Sequence, residues 1–152
     1  MFGKVGKALE PYRELGPLCL RIAIGAIFLA HGSQKLLGWF GGHGLAATGQ
    51  MFGQMGFQPG IFWATIVACT EFFGGLAVLL GFSTRLAAFL IGMVMLVAML
   101  KVHLPNGFFL NFACTPGVGH GIEYNVALLG GCLALVFGGP GKTSLDASCK
   151  CE

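Results

Sequence analysis

Four long apolar stretches, separated by short polar or glycine-rich segments, dominate the pattern of this chain. They run over about 18–37, 61–80, 86–104 and 122–139. Each is close to the ~17–25 residues that an α-helix needs to cross the hydrocarbon of a bilayer. The pattern therefore predicts an all-α integral membrane protein, built as an antiparallel four-helix bundle.

The connections between the stretches support this topology. Residues 81–85 form a link between the second and third stretches that is short enough to force an antiparallel hairpin. Residues 45–56 are too short and too glycine-rich for a span, so we expect an interfacial or re-entrant helix over the outer mouth of the bundle. Pro105 should end the third span at Leu104. The Phe- and Gly-rich loop over 106–121 should then fold back on the bundle.

The ends of the chain should lie outside the hydrocarbon. The segment before Pro17 mixes charged and apolar residues, as in a short interfacial helix that anchors the protein. The segment 140–152 is small and polar, and we expect it to be a mobile cytoplasmic tail. Because Arg21 interrupts the first apolar stretch and no small-x-small cleavage pattern follows, we interpret that stretch as a retained span and not a signal peptide.

Composition and charge leave room for one membrane domain. Of the 152 residues, 55% are hydrophobic and only 10% are charged, which is too little polar surface for a soluble globular protein. The net charge of +3 is spread thinly along the chain, which argues against a nucleic-acid partner. With four spans, seven of the nine Lys and Arg residues fall on the side of the termini. By the positive-inside rule, both termini should face the cytoplasm.

The six cysteines and four histidines predict neither a disulfide framework nor a metal site. Three cysteines fall in spans, one in the outer loop and two in the inner tail: Cys19, Cys69, Cys132, Cys114, Cys149 and Cys151. A single outer cysteine has no partner on its side of the membrane. The Cys-Lys-Cys sequence in the tail supplies only two ligands, and the histidines lack metal-binding spacing.

Several polar and ionisable residues lie within or at the ends of the apolar stretches, where we expect the outer half of the membrane. They are His31, Gln34, Lys35, Glu71, Lys101, His103 and Glu123. A charge at membrane depth costs several kcal/mol unless it is paired or hydrated, so such residues form a site hypothesis by default. His31 and Lys35 are i,i+4 neighbours with Gln34 between them, so the three should present one polar face.

The two carboxyl groups should point into the bundle, because small residues that allow close helix contact share their helix stripes. We therefore expect Glu71 to be protonated or paired rather than a free anion. Lys101 and His103 are two positions apart and cannot share a helical face unless the helix unwinds before Pro105. At most one of them need belong to the polar cluster.

Two interpretations of this cluster remain open. In the structural one, Glu123 pairs with Lys35 or Lys101, and Glu71 bonds to His31 or is kept protonated. In the functional one, the cluster lines a pocket that binds a small redox ligand or a quinone head group and moves protons. The number of ionisable groups favours function, because four apolar helices do not need so many to assemble.

Several segments of the chain carry a resemblance to a known family. They are His31-Gly32-Ser33-Gln34-Lys35-Leu36-Leu37-Gly38, Phe40-Gly41-Gly42, Glu71 with Gly74-Gly75, Glu123-Tyr124-Asn125, Gly139-Pro140-Gly141 and Ser144-Leu145-Asp146. Together they resemble the DoxX family of small four-helix membrane proteins over 18–146. The His-Gly-x-x-Lys segment is the strongest element of the resemblance.

The resemblance implies a single four-helix domain over 1–152 in a bacterial-type inner membrane. It also implies work beside redox enzymes: one branch of the family is a subunit of thiosulfate:quinone oxidoreductase, and another joins a membrane-associated oxidoreductase complex. Membrane lipid and a larger membrane protein or redox complex are then the expected partners. The Cys149-Lys150-Cys151 tail and the loop around Cys114 depart from the family pattern, which argues against a simple transfer of the thiosulfate role.

The first functional hypothesis is a redox-linked subunit whose pocket holds a quinone or a small sulfur anion. Glu71 and His31 would be its catalytic, proton-carrying groups, and electrons would come from a partner. Four further residues would bind the ligand: Gln34, Lys35, Lys101 and Glu123. The alternative is a non-catalytic accessory subunit that packs against a larger membrane complex. A thiol-disulfide quinone reductase is disfavoured, because it would need cysteine pairs on the outer side.

Overall fold

The computed structural model describes residues 7–149, and every regular element among them is helical. After a 3-10 turn at Glu10–Tyr12, the helices are α1 Leu15–Leu37, α2 Gly44–Gln54, α3 Gly60–Leu80, α4 Thr84–Ala98, α5 Glu123–Gly138 and α6 Leu145–Cys149. A π-helical turn, Met99–His103, and a 3-10 turn, Leu104–Asn106, extend α4. The prediction of an all-α membrane bundle is confirmed.

Within residues 7–149, three helices are long and apolar enough to cross a membrane. They cover Leu15–Leu37, Gly60–Leu80 and Thr84–Asn106, the last being α4 with its extension. The fourth apolar helix, α5, has 16 residues, or about 24 Å at 1.5 Å per residue. All four overlap the predicted apolar stretches along nearly their whole length.

The bundle has two unlike ends. The α3–α4 turn, the start of α1 and residues 139–149 lie at one, which we name the turn end. Helix α2 and the long loop 107–122 lie at the other, the loop end. The core packs in the half nearer the turn end, and its largest fully buried side chains include Phe28, Ile91, Leu135, Val78 and Cys132.

Helices α1 and α3 cross at glycines. A Cβ atom on Gly25 would lie 2.8 Å from the carbonyl oxygen of Gly75, and one on Gly32 would overlap the backbone of Phe72. Small residues at such crossings let two helix backbones approach closely. The approach at Gly32 sets the next turn of α1 directly against Glu71.

A buried arginine links the helices and the chain segment that meet at the turn end. Arg21 is 2% exposed, and its guanidinium donates hydrogen bonds of 2.9–3.1 Å to four main-chain oxygens. Two of these oxygens, those of Val78 and Leu79, belong to the last turn of α3. The other two, those of Pro140 and Thr143, belong to the segment after α5. The carbonyls at the end of a helix lack intrahelical partners, so Arg21 supplies a donor to the Leu79 carbonyl and a second donor to the Val78 carbonyl, which also accepts from the backbone N–H of Gly81.

Residues 140–149 are held against the bundle, so the prediction of a mobile tail is wrong for this segment. Asp146 is 5% exposed and accepts hydrogen bonds from the backbone N–H of Ser83, at 2.6 Å, and from the N–H and hydroxyl of Thr84, both at 2.9 Å. It thereby supplies acceptors for the first N–H groups of α4 from outside the helix. The rest of the predicted tail, with Lys150 and Cys151, lies outside the described residues.

The loop between α4 and α5 folds back on the bundle, as predicted. Its two ends pair through main-chain hydrogen bonds from Ile122 to Gly107 and from Glu123 to Phe108, of 3.1 and 2.9 Å. The His120 carbonyl accepts bonds from Asn106 Nδ2, at 3.3 Å, and from the His103 ring at 3.0 Å. These contacts hold the loop to the extension of α4.

Candidate functional site

A cavity of about 800 Å³ opens between the helices in the half of the bundle nearer the loop end. Its wall is mostly aromatic and aliphatic, with a few polar groups, as in pockets that bind small organic ligands. The polar side chains come from α1, α3, the extension of α4 and α5: His31, Lys35, Glu71, Lys101, His103, Tyr124 and Asn125.

Lys35 and Glu71 form an ion pair in the cavity wall. The Lys35 Nζ lies 2.5 Å from Glu71 Oε2, and the two side chains are 24% and 6% exposed. Glu71 is therefore paired, as expected, but its partner is Lys35 and not His31. The close crossing at Gly32 is the physical reason, because it places the final turns of α1 against the middle of α3.

Glu123 does not take part in this pair, so the structural interpretation that joined it to Lys35 or Lys101 is wrong. Glu123 is half-buried in the first turn of α5 and forms no ion pair with any residue of 7–149. The register of α5 turns Tyr124, Asn125 and Leu128 toward the cavity and leaves Glu123 out of its wall.

Gln34 also lies outside the cavity wall. Its Nε2 donates a 3.2 Å hydrogen bond to the carbonyl oxygen of Phe40, across the turn that ends α1. Gly38, in the left-handed conformation with φ of 74°, makes that turn possible. Gln34 therefore contributes to chain reversal, although His31 and Lys35 on the same helix both line the cavity.

Lys101 and His103 both line the cavity. A continuous α-helix would keep the two on different faces, so we expected that at most one need belong to the polar cluster unless the helix unwound before Pro105. Helix α4 instead becomes π-helical at Met99–His103, a rare geometry that is frequent at functional sites. The altered register brings both residues to the same cavity.

Asn125 is a cavity residue that the charge pattern did not single out. It is 4% exposed, and its Nδ2 donates to the thioether sulfur of Met95 at 2.9 Å. A thioether is a weak acceptor, so this buried amide keeps hydrogen-bonding capacity for a better partner. The one sequence signal for Asn125 was its place in the Glu123-Tyr124-Asn125 segment. Because the side chain is neutral, the cost of burying a charge did not single it out as a site residue.

Helix α2 closes the cavity from the loop end. Met51 and Phe52 of this helix line the wall, together with Met55 and Phe57 of the segment that follows it and Trp63 in the first turn of α3. The predicted interfacial segment does lie over the mouth of the bundle. Its aromatic and sulfur-containing side chains make that part of the wall apolar and adaptable.

Among residues 7–149, no group of three or more His, Cys, Asp or Glu side chains is arranged to hold a metal ion. With neutral histidines, the wall carries Lys35 and Lys101 against Glu71, which leaves it with a net positive charge.

A profile of the family described as DoxX matches residues 16–104, which include α1 to α4 and the Lys35–Glu71 pair. The chain belongs to the DoxX family. This assignment confirms the resemblance carried by the His-Gly-x-x-Lys segment. The DoxX match ends at Leu104, so α5 and its Asn125 lie beyond it.

Three relatives extend the comparison. "Inner membrane protein YqjF" of Escherichia coli K12 is 36% identical over 140 residues, covering 91% of this chain and 95% of that protein. "Uncharacterized membrane protein Rv3486" of Mycobacterium tuberculosis is 33% identical over 132 residues, covering 85% and 78%. "Putative oxidoreductase CatD" of Bacillus subtilis is 34% identical over 95 residues, covering 62% and 65%. No solved structure is significantly similar to this DoxX chain.

Proposed function

We propose that this DoxX-family protein is a redox-linked membrane subunit that holds a quinone head group in the cavity at its loop end. The observation that carries the proposal is the Lys35–Glu71 ion pair, set into the wall of a cavity of about 800 Å³ that is otherwise mostly apolar. An ionisable pair at membrane depth marks a site by default. The name of the Bacillus subtilis relative adds support for a redox role.

The chemistry of the wall favours a quinone over a small sulfur anion. The Lys35 ammonium has three N–H donors, and the contact with Glu71 uses one, so others can reach a quinone carbonyl oxygen. The Asn125 amide offers a neutral donor from the opposite helix, α5. Phe, Met and Trp side chains fit a planar ring with apolar substituents, whereas a hydrophilic anion gains nothing from them.

The proposed reaction is the two-electron reduction of the quinone to the quinol, with uptake of two protons. The electrons come from a partner redox protein in the same membrane complex. Glu71 and His31 hold and transfer protons beside the ring, since both line the cavity and both are residue types that exchange protons. Lys35 and Lys101 stabilise negative charge that develops on the ring oxygens.

Trp63 allows a direct binding test, because it lines the cavity and the chain has only one other tryptophan, Trp39. In the Trp39→Phe variant, reconstituted in lipid nanodiscs, a short-tailed quinone should quench Trp63 fluorescence in a saturable way. Replacing the pair with neutral groups, in Lys35→Met with Glu71→Gln, should weaken binding about tenfold, as for loss of a hydrogen bond to a charged donor.

Lys142→Met is the matched control, since the Lys142 side chain is 80% exposed at the turn end, far from the cavity. It should bind quinone as the Trp39→Phe background does. Quenching that is non-saturable, or that is unchanged by the double substitution, would contradict the quinone site. Competition by thiosulfate or sulfite with no quinone binding would assign the cavity to a sulfur anion.

The rival function, a non-catalytic accessory subunit, is favoured by exposed aromatic side chains on the 107–122 loop. Phe109 and Phe112 are 72% and 79% exposed, which leaves apolar surface that a partner in the membrane could cover. Purification from the native membrane in mild detergent distinguishes the two functions. Stoichiometric quinone supports the redox site, whereas a stable large partner with no quinone in this subunit supports the accessory role.

A further inference from the structure

The cavity reaches the outer surface of the bundle between α3 and α4. On α3 and α4, four apolar side chains line the cavity and are also well exposed: Trp63 at 41% and Ile66 at 42% on α3, and Met93 at 45% and Val97 at 44% on α4. Their spacings, i,i+3 and i,i+4, place each pair on one face of its helix. A side chain that borders both the cavity and the outer surface lies at an opening.

The two helices pack closely on the turn-end side of this opening. A Cβ atom on Gly74 would lie 3.1 Å from Ile91 Cγ1, so the backbones are close there. Toward the loop end, Val67 of α3 and Val94 of α4 line the cavity. Toward the loop end from Ile91, both helices therefore contribute side chains to the cavity wall.

The depth and the chemistry of the rim indicate that this opening faces hydrocarbon. Its four rim residues lie within helices that are long and apolar enough to span the membrane. All four rim side chains are apolar, whereas the polar side chains Lys101 and His103 lie on the extension of α4 at the loop end. The charged pair lies inside the cavity, with the Glu71 side chain only 6% exposed.

We propose that this opening is a lateral portal, through which the apolar tail of the bound molecule leaves the cavity and enters the bilayer. The inference rests on the proposed function and names its substrate class. The substrate is a lipid-soluble quinone with an isoprenoid or alkyl tail, and not a tail-less, water-soluble redox compound. An apolar rim fits such a tail, because the tail has no polar group to satisfy at hydrocarbon depth.

Partial closure of the portal tests this assignment. Val97→Phe adds a ring at the rim, while Leu90→Phe adds the same ring two turns away on α4, at a position that is 45% exposed but does not line the cavity. Both are made in the Trp39→Phe background and titrated, by Trp63 quenching, with two benzoquinones of identical head group, one without a tail and one with a decyl tail.

Val97→Phe should weaken binding of the decyl quinone at least about tenfold and change binding of the tail-less quinone less than about twofold. Leu90→Phe should change neither. Ile66→Phe, on the opposite rim, repeats the test if Val97→Phe does not fold, with Leu76→Phe as its control on α3. Equal losses for both quinones, or no loss for either, would overturn the portal.

Failure of the portal is distinguishable from failure of the site itself. If the Trp39→Phe background binds the tail-less quinone but the rim variants weaken binding of both quinones equally or of neither, the head-group site is supported and the portal is contradicted. If the background binds neither quinone in a saturable way, both the proposed function and the portal are contradicted.

Discussion

Lys35 and Glu71 place two opposite charges in a cavity wall that is otherwise mostly apolar. Each charge alone would be costly at this depth, and the pair offsets part of that cost. Removing one member of a buried pair is more harmful than removing both, because the remaining charge loses its partner. The pair is therefore both a structural contact and a candidate binding group, and the two roles separate by mutation.

Lys35→Met should destabilise the protein by about 3–5 kcal/mol, because it leaves the Glu71 carboxylate buried without its partner. Adding Glu71→Gln should restore most of the loss, while adding Glu123→Gln instead should restore none, since Glu123 lies outside the pair. Thermal unfolding in a mild detergent, followed by circular dichroism, measures all three variants. Equal stability of Lys35→Met and the native protein would show that the pair contributes little.

The residues of the candidate site were predictable in part. Hydrophobic patterning indicates which charges lie at membrane depth, and four of the six predicted site residues line the cavity: His31, Lys35, Glu71 and Lys101. The pairing was not predictable, because helical periodicity gives the face and depth of a side chain but not the neighbouring helix that it meets. Here the close approach of α1 and α3 at Gly32 determines that Lys35 meets Glu71.

At the scale of elements, apolar length was enough to predict the positions of the four apolar helices, three of which are long enough to span a membrane. Local composition was not enough where contacts between distant residues determine the structure. Met99–His103 contains no glycine or proline that would mark a π-turn. Residues 140–149 have the small, polar composition of a free tail, yet the bonds of Arg21 and Asp146 hold them to the ends of α3 and α4. Such contacts join residues about 60 to 120 positions apart, beyond the reach of local pattern.

Asp146→Ala should release residues 140–149 from the bundle. The substitution removes three hydrogen bonds to the start of α4, and we expect a loss of about 2–4 kcal/mol in the free energy of unfolding. Hydrogen exchange read by mass spectrometry should show faster exchange in 140–149 and in the first turn of α4, with the α1–α3 crossing unchanged.

Ser148→Ala is the control for Asp146→Ala, because it removes only a hydroxyl bond to the Ser144 carbonyl within the same segment. It should leave exchange at the start of α4 unaltered. Uniformly faster exchange over all helices in Asp146→Ala would indicate a general loss of folding and not the release of one segment.

At the scale of the whole molecule, the direction of insertion decides which compartment the site serves. Seven of the nine Lys and Arg residues belong to the turn-end side in the four-span topology, so the positive-inside rule favours a cytoplasmic turn end. The cavity, its portal and the 107–122 loop would then lie in the outer half of the membrane. A quinone held there would exchange protons with the outer compartment through groups such as His103 and Lys101.

Two single-cysteine proteins test this orientation. One keeps only Cys114, which is exposed on the loop end; the other lacks all six native cysteines and carries Lys142→Cys, at a side chain that is 80% exposed on the turn end. With a membrane-impermeant maleimide applied to intact spheroplasts, we expect Cys114 to react at once and the Lys142→Cys thiol to react only after lysis. The reverse order would place the cavity on the cytoplasmic side, and labelling of both without lysis would contradict the four-span topology, which separates the two positions by the bilayer.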